Sequence, residues 1–205
     1  MDLKRANELI DTLSKTVDHP LFEDSPRVIL SATLSVSSLE FAAAVRILCV
    51  SGLLLGASGS LRSQFESVVR SVWALQRATE NQVEKLSANL DEESQLATKN
   101  MPSVQQMMAE LEKIPNLSNL MIALNEFKES SWLPLNSFVH SGIHAVHWTR
   151  NEAPPVLLER VFRASNGLVV LAFQNLGILT GKPGLQTEII TATASYSSCL
   201  PDRRP

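Results

Sequence analysis

Apolar residues in this chain recur every three or four positions, and this helical spacing restricts its fold more than any other feature. Between residues 61 and 75 they form one stripe on a long helix predicted to reach about Leu86. The segment "TEIITATASYSS", near the end, is the one stretch that weakly shows the pattern of a β-strand, in which apolar and polar residues alternate and β-branched residues are frequent. One weak strand does not make a sheet. The sequence therefore predicts an all-α fold, an up-and-down helical bundle with additional short helices.

Capping and helix-breaking residues set the limits of the predicted helices. "EDSP" starts one that runs to about Val50, with Ser25 as the cap and Pro26 in the first turn. Glycines at 52, 56 and 59 then predict either a break or a close approach of another backbone. The other predicted helices are residues 3–17, two short helices parted at Pro115, a histidine helix from Ser131 to about Thr149, and Val156 to about Thr180.

Length and composition favour one domain. The chain has 205 residues and is 44% hydrophobic, enough for a single helical domain over 1–205 with a full core. A polar stretch from about 87 to 102 predicts a flexible connection, and about 197–205 predicts a disordered tail.

Charge excludes a global attraction to nucleic acid or to an anionic membrane. The formal net charge is -3, with 18 basic against 21 acidic residues, so any RNA contact must be a local patch. The N-terminus lacks the pattern of a secretion signal. The two most apolar runs carry Arg46 and Arg163, which are costly within a bilayer. We therefore predict a cytoplasmic protein without membrane association.

The two cysteines indicate a reducing compartment. Cys49 lies in an apolar run and Cys199 in the predicted tail, without metal-type spacing. Neither is supported as a nucleophile, because the first is expected to be buried and the second lies in the tail.

The segment "NSFVHSGIHAVHWTR", residues 136 to 150, holds three of the four histidines. On one continuous helix, His140, His144 and His147 would share a face. They could then coordinate one metal ion, provided that another element supplies a further ligand. Glu66 is the best candidate for that ligand, because a carboxylate commonly binds such a metal. For His147, a helix-end position that favours the last carbonyls is the simpler interpretation. We predict no metal and no cofactor.

A second polar group lies on the helix that begins at residue 61. Arg62 and Glu66 are spaced i and i+4, and the simpler interpretation is an intrahelical salt bridge. The alternative is that Glu66 orients the Arg62 guanidinium toward a phosphate or toward the histidine helix. Arg70, Trp73 and Arg77 continue a basic and aromatic face of the kind that binds nucleic acid.

Two stretches, "LNSFVHSGIHAVHWTR" and "LRSQFESVVRSVWAL", resemble uncharacterised bacterial helical proteins related to the HEPN superfamily of nucleotide-binding and ribonuclease domains. The usual HEPN ribonuclease motif is an arginine, a polar residue, about three residues and a histidine. Asn136 and His140 match the polar position and the histidine, in an N-x3-H-x3-H pattern that ends at His144, whereas Leu135 occupies the arginine position.

This resemblance implies metal-independent RNA cleavage or RNA binding in a bacterial toxin or phage-defence system. His140 would act as general acid or base and Asn136 would orient it. Because Leu135 replaces the motif arginine, Arg62 and Arg150 are expected to neutralise the phosphate, and Glu66 and His144 to support the site. The superfamily commonly builds its site between protomers, so a homodimer is expected, and a toxin would have a neutralising partner protein.

Two alternatives remain open. One is a non-catalytic interaction module in which Arg62, Glu66 and His140 form a buried network that fixes helix register. The other is a metal site on the histidine helix. The site interpretation requires the histidine helix to pack beside the Arg62 helix, with His140 within reach of Arg62 or Glu66 on an open surface.

Overall fold

The structure, a computed structural model, describes residues 1–202. All regular structure in that range is helical and forms a bundle, which confirms the predicted all-α class. Short 3-10 turns lie at Thr98–Asn100, Pro115–Leu117 and Ser197–Cys199. The α-helices are α1 (Leu3–Thr16), α2 (Pro26–Val50), α3 (Leu54–Gln76), α4 (Glu80–Ser87), α5 (Glu92–Ala97), α6 (Val104–Leu111), α7 (Ser118–Val139), α8 (Ile143–Arg150), α9 (Pro155–Leu179) and α10 (Leu185–Ala194).

The start of α2 and its connection to α3 follow from local signals in the sequence. Ser25 Oγ accepts a hydrogen bond from the Val28 amide, and Pro26 occupies the first turn, as predicted. The break falls at Gly52, whose φ of +74° lies in the left-handed region that glycine adopts readily. Gly56 instead lies inside α3, where an added Cβ would stand 3.3 Å from the Leu48 side chain. The predicted break is therefore present at Gly52, whereas Gly56 meets a side chain of α2 and not another backbone.

The long helices α2, α3 and α9 pack against one another and form the centre of the bundle. The predicted stripe on α3 is its core face, since Leu61, Phe65, Val68 and Val72 are all buried. One continuous cluster of buried apolar side chains reaches from Ala6 on α1 to α10 and beyond it.

A group of polar side chains is also buried where these three helices meet. Asn175 of α9 donates from Nδ2 to the hydroxyls of Ser31 and Ser35 on α2, each at 3.0 Å, and lies 3.4 Å from Ser71 Oγ on α3. The serine hydroxyls in turn donate to backbone carbonyls of α2 and α3. This Asn175 cluster satisfies its buried polar groups by joining all three helices.

The helix predicted to continue to about Leu86 ends earlier. α3 stops at Gln76, and α4 begins after Thr79, whose hydroxyl accepts from the Gln82 amide while the Gln82 side chain accepts from the Thr79 amide. This reciprocal capping box starts a new helix. The apolar spacing continues across the junction, which is why the spacing alone did not reveal the break.

The C-terminal segment differs from both predictions made for it. The weak strand candidate forms α10 instead. Residues 197–202 of the predicted disordered tail pack on the bundle: Cys199 is fully buried, and Arg163 bonds the Leu200 carbonyl and pairs with Asp202 at 2.8 Å. Residues 203–205 of that tail lie outside the described residues. Within the predicted flexible connection, α5 and a 3-10 turn are present.

Within residues 1–202, α2 is the single helix long and apolar enough to cross a membrane by length and composition. Much of it packs against α3 and α9, and it carries the half-buried Arg46, whose guanidinium pKa is lowered by burial. The cytoplasmic location remains a prediction.

Replacing Asn175 with alanine should lower the free energy of unfolding by about 1 to 3 kcal/mol, because the serine hydroxyls lose a buried donor. Urea unfolding followed by circular dichroism measures this. Asn125→Ala is the matched control, since Asn125 bonds Glu112 at an exposed position and its loss should cost less than about 0.5 kcal/mol. Equal effects of the two variants would show that the cluster does not hold the helices together.

Candidate functional site

The predicted histidine helix is two helices. α7 begins at Ser118, continues through Pro134 and ends at Val139; His140, Ser141 and Gly142 form a turn, and α8 follows. Ser141 adopts a φ of +52°. The prediction of one helix from Ser131 to about Thr149 is therefore wrong in its start and its continuity: its first part and the short helix predicted after Pro115 both belong to α7, while its end agrees with that of α8.

Ser137 stabilises this turn. Its carbonyl accepts the Gly142 N–H at 2.7 Å, and its hydroxyl accepts the His144 N–H at 3.0 Å, so that it caps the first turn of α8. A Cβ on Gly142 would lie 2.7 Å from this hydroxyl, so the close approach requires glycine. The turn redirects the chain between His140 and His144.

The turn separates the three histidines, so the prediction that they share one helix face is wrong. His140 follows the last residue of α7, whereas His144 and His147 lie in α8. The His144 ring lies 5.8 Å from that of Phe138, and the His147 ring packs edge-on at 4.5 Å from Trp148. Across residues 1–202, no group of three His, Cys, Asp or Glu side chains is placed to hold a metal ion.

Arg62 and His140 meet between α3 and α7, as the site interpretation requires. Arg62 Nε donates to Glu66 Oε1 at 2.8 Å, and Arg62 Nη1 lies 3.5 Å from His140 Nε2. The guanidinium carbon stands 4.9 Å from the centre of the Trp132 ring. A guanidinium only donates, so this hydrogen bond needs an unprotonated Nε2 on a neutral ring. We call Arg62, Glu66, Trp132 and His140 the Arg62 cluster.

The Arg62 cluster lies at the surface. The side chains of Arg62 and Glu66 are 19% and 28% exposed, and His140 is exposed. No group within residues 1–202 bonds Arg62 Nη2. The cluster is therefore not sealed in the core, and it keeps guanidinium donors for an incoming oxygen acceptor.

Other residues predicted for the site are less directly involved. The Asn136 carbonyl accepts the His140 N–H at 3.1 Å, whereas no side-chain hydrogen bond joins the two within the described chain. Asn136 thus positions His140 through the backbone. Leu135, at the motif's arginine position, is buried. Arg150 is exposed at the end of α8, and among residues 1–202 no bond joins it to the Arg62 cluster.

The predicted basic and aromatic face along α3 is not an open strip. Trp73 is fully buried, and its Nε1 donates to Glu110 at 2.7 Å, so this indole cannot stack on a base. Arg77 Nε donates to the Glu110 carbonyl at 3.2 Å, a hydrogen bond that connects the end of α3 to α6. Arg70 is half-buried, and its Nε has no partner in the described chain.

Trp132 is the aromatic residue of the site that the sequence analysis missed. It is half-buried, contacts Arg62 and packs edge-on against Phe65 with ring centroids 5.8 Å apart. Its spacing of four residues from Asn136 places the two side chains on the same face of α7 and would have indicated it.

Neither cysteine is a nucleophile of this site. Burial, with a smaller contribution from Glu159, raises the pKa of the Cys49 thiol to about 11. Burial also raises the pKa of Cys199, which is fully buried. Both thiols therefore resist forming the reactive thiolate near neutral pH.

Residues 35–202 match the model of a family described as a family of unknown function, DUF6988. No curated protein and no solved structure matches the chain.

Gly142→Ala should lower the free energy of unfolding by about 1 to 2 kcal/mol, because the new methyl group displaces the Ser137 hydroxyl that caps α8. Gly59→Ala is the matched control. It lies inside α3 with nothing within 4 Å of an added Cβ, and it should stabilise the protein by up to about 1 kcal/mol through helix propensity. Chemical denaturation compares them; a neutral Gly142→Ala would contradict the tight turn.

Proposed function

Because the chain belongs to DUF6988, a family of unknown function, we propose its function from the site: it binds RNA through phosphate at the Arg62 cluster and cleaves the strand without a metal. The observation that carries this proposal is the 3.5 Å contact between Arg62 and His140 at an exposed position. At this separation the acid-base group and the oriented cation can both contact the same phosphodiester.

Arg62 supplies the cation. Glu66 and Trp132 hold its guanidinium, and Nη2 remains available within the described chain. A planar guanidinium that is already oriented suits phosphate oxygens and loses little freedom when it binds them. Other arginines act differently: Arg27 and Arg163 bond backbone carbonyls and tie elements together.

His140 supplies the proton transfer. Nε2 of a neutral imidazole takes the proton of a ribose 2′-hydroxyl, which replaces the Arg62 contact at that nitrogen, while the 2′-oxygen bonds phosphorus; the bond to the 5′-oxygen breaks, and this oxygen receives a proton. The products are a 2′,3′-cyclic phosphate and a free 5′-hydroxyl. The HEPN-like resemblance supports a homodimer whose second copy contributes the other proton-transfer group, in a toxin or phage-defence setting with a neutralising partner protein.

A non-catalytic interaction module is the second proposal. It is favoured because the contacts of Arg62 with Trp132 and His140 link α3 to α7, as a register-fixing residue would. In this case the cluster serves stability, and RNA is not bound.

RNA cleavage, RNA binding and thermal unfolding of the same variants separate the two proposals. His140→Ala should abolish cleavage yet change stability by less than about 0.5 kcal/mol, because the side chain is exposed. Arg62→Ala should weaken RNA binding and reduce its log-log salt slope by about one. His147→Ala, at an exposed histidine outside the cluster, is the matched control and should retain both activities.

Two results would contradict the RNA proposal. One is wild-type protein that neither binds nor cuts RNA at low salt. The other is an Arg62→Ala variant with unchanged RNA binding and a lowered melting temperature, which would favour the interaction module.

A further inference from the structure

A cavity of about 600 Å³ opens between α3, α7, α8 and α9, apart from the Arg62 cluster. Its volume falls within the usual range of small-molecule sites. Its walls are mostly apolar, with few polar groups. Lining residues that matter here are Ser58, Leu135, Phe138, His144, Trp148 and Arg160.

Two polar atoms in the wall of this cavity have no partner in the described chain. Ser58 is fully buried and its Oγ forms no hydrogen bond; His144 Nδ1 is buried and likewise unpaired. A serine inside a helix ordinarily bonds the carbonyl one turn back, as Ser35 does to Ser31. Buried polar groups almost always have partners, so two unpaired atoms lining one cavity point to a ligand.

The cavity also has a cation without a counter-ion. Arg160 is exposed, and within residues 1–202 no carboxylate pairs with it. Its neighbour Glu159 instead pairs with the N-terminal amine at 2.6 Å. A free guanidinium beside an apolar cavity suits a carboxylate, which it binds through two parallel hydrogen bonds.

We propose that this cavity binds a small amphipathic carboxylic acid. The apolar body of the ligand packs between Leu135 and Phe138, and its carboxylate pairs with Arg160. Ser58 Oγ and His144 Nδ1 donate hydrogen bonds to the same carboxylate. The site uses no residue of the Arg62 cluster, so it stands independently of the RNA proposal.

Displacement of 1-anilinonaphthalene-8-sulfonate from the full chain tests this, since the probe combines an apolar body with an anionic group. Its fluorescence should report one saturable site, from which sodium decanoate displaces it. Decan-1-ol, which lacks the carboxylate, should need about tenfold higher concentration, the usual effect of losing a charged hydrogen bond.

Single substitutions test which residues contact decanoate. Arg160→Ala should weaken decanoate binding about tenfold and leave decanol unchanged. His144→Phe keeps a ring but removes both nitrogens, and should also weaken decanoate. Ala164→Trp fills the cavity and should abolish binding. Lys113→Ala removes an exposed charge elsewhere and is the matched control.

The proposal is overturned if decanoate does not displace the probe, if decanol matches decanoate, or if a cooperatively melting Ala164→Trp variant binds normally. Should that variant fail to fold, Leu157→Trp at a half-buried lining position makes the same test. An Arg160→Ala variant that binds decanoate normally would equally overturn it, because the exposed Arg160 is the cation assigned to the carboxylate.

Discussion

The hydrogen bonds around Asn175 are the constraint on which the rest of the structure depends. Apolar helix faces slide against one another at little cost, because dispersion and burial have no direction. Asn175 bonds hydroxyls on α2 and approaches one on α3, which sets the relative positions of three long helices. Gln64 and Ser165 add a reciprocal pair between α3 and α9.

Helical periodicity and capping residues predicted much of the fold. The all-α class, the limits of α1 and α2, and the core stripe on α3 all follow from local patterns. The contact of His140 with Arg62 was also predicted, although the two residues are 78 positions apart and the continuous histidine helix assumed for it is interrupted by a turn. The fold class, the helix limits and the core stripe depend on residues close in sequence, which is where pattern analysis is strongest.

The features that were missed depend on contacts that a periodic pattern does not contain. The break at Ser141 and Gly142 requires the chain to return onto Ser137, and apolar spacing continues through it. Trp73 lies one helical turn before the exposed Arg77, so the spacing alone predicts exposure. Instead α6 packs over Trp73, and Glu110 of α6 accepts its indole hydrogen bond. Residues 197–202 pack on the bundle because Arg163 of α9 bonds the Leu200 carbonyl. In each case a distant element decides the outcome.

The end of α7 contributes to both proposed sites. His140 follows its last residue toward Arg62, while Leu135 and Phe138 face the cavity beside α8. Ser137 lies between them, and its hydroxyl holds the His144 amide of α8. The same turn therefore places His140 at the end of α7 and His144 in the first turn of α8. The two sites are chemically separate, yet both depend on the same short turn for the placement of a histidine.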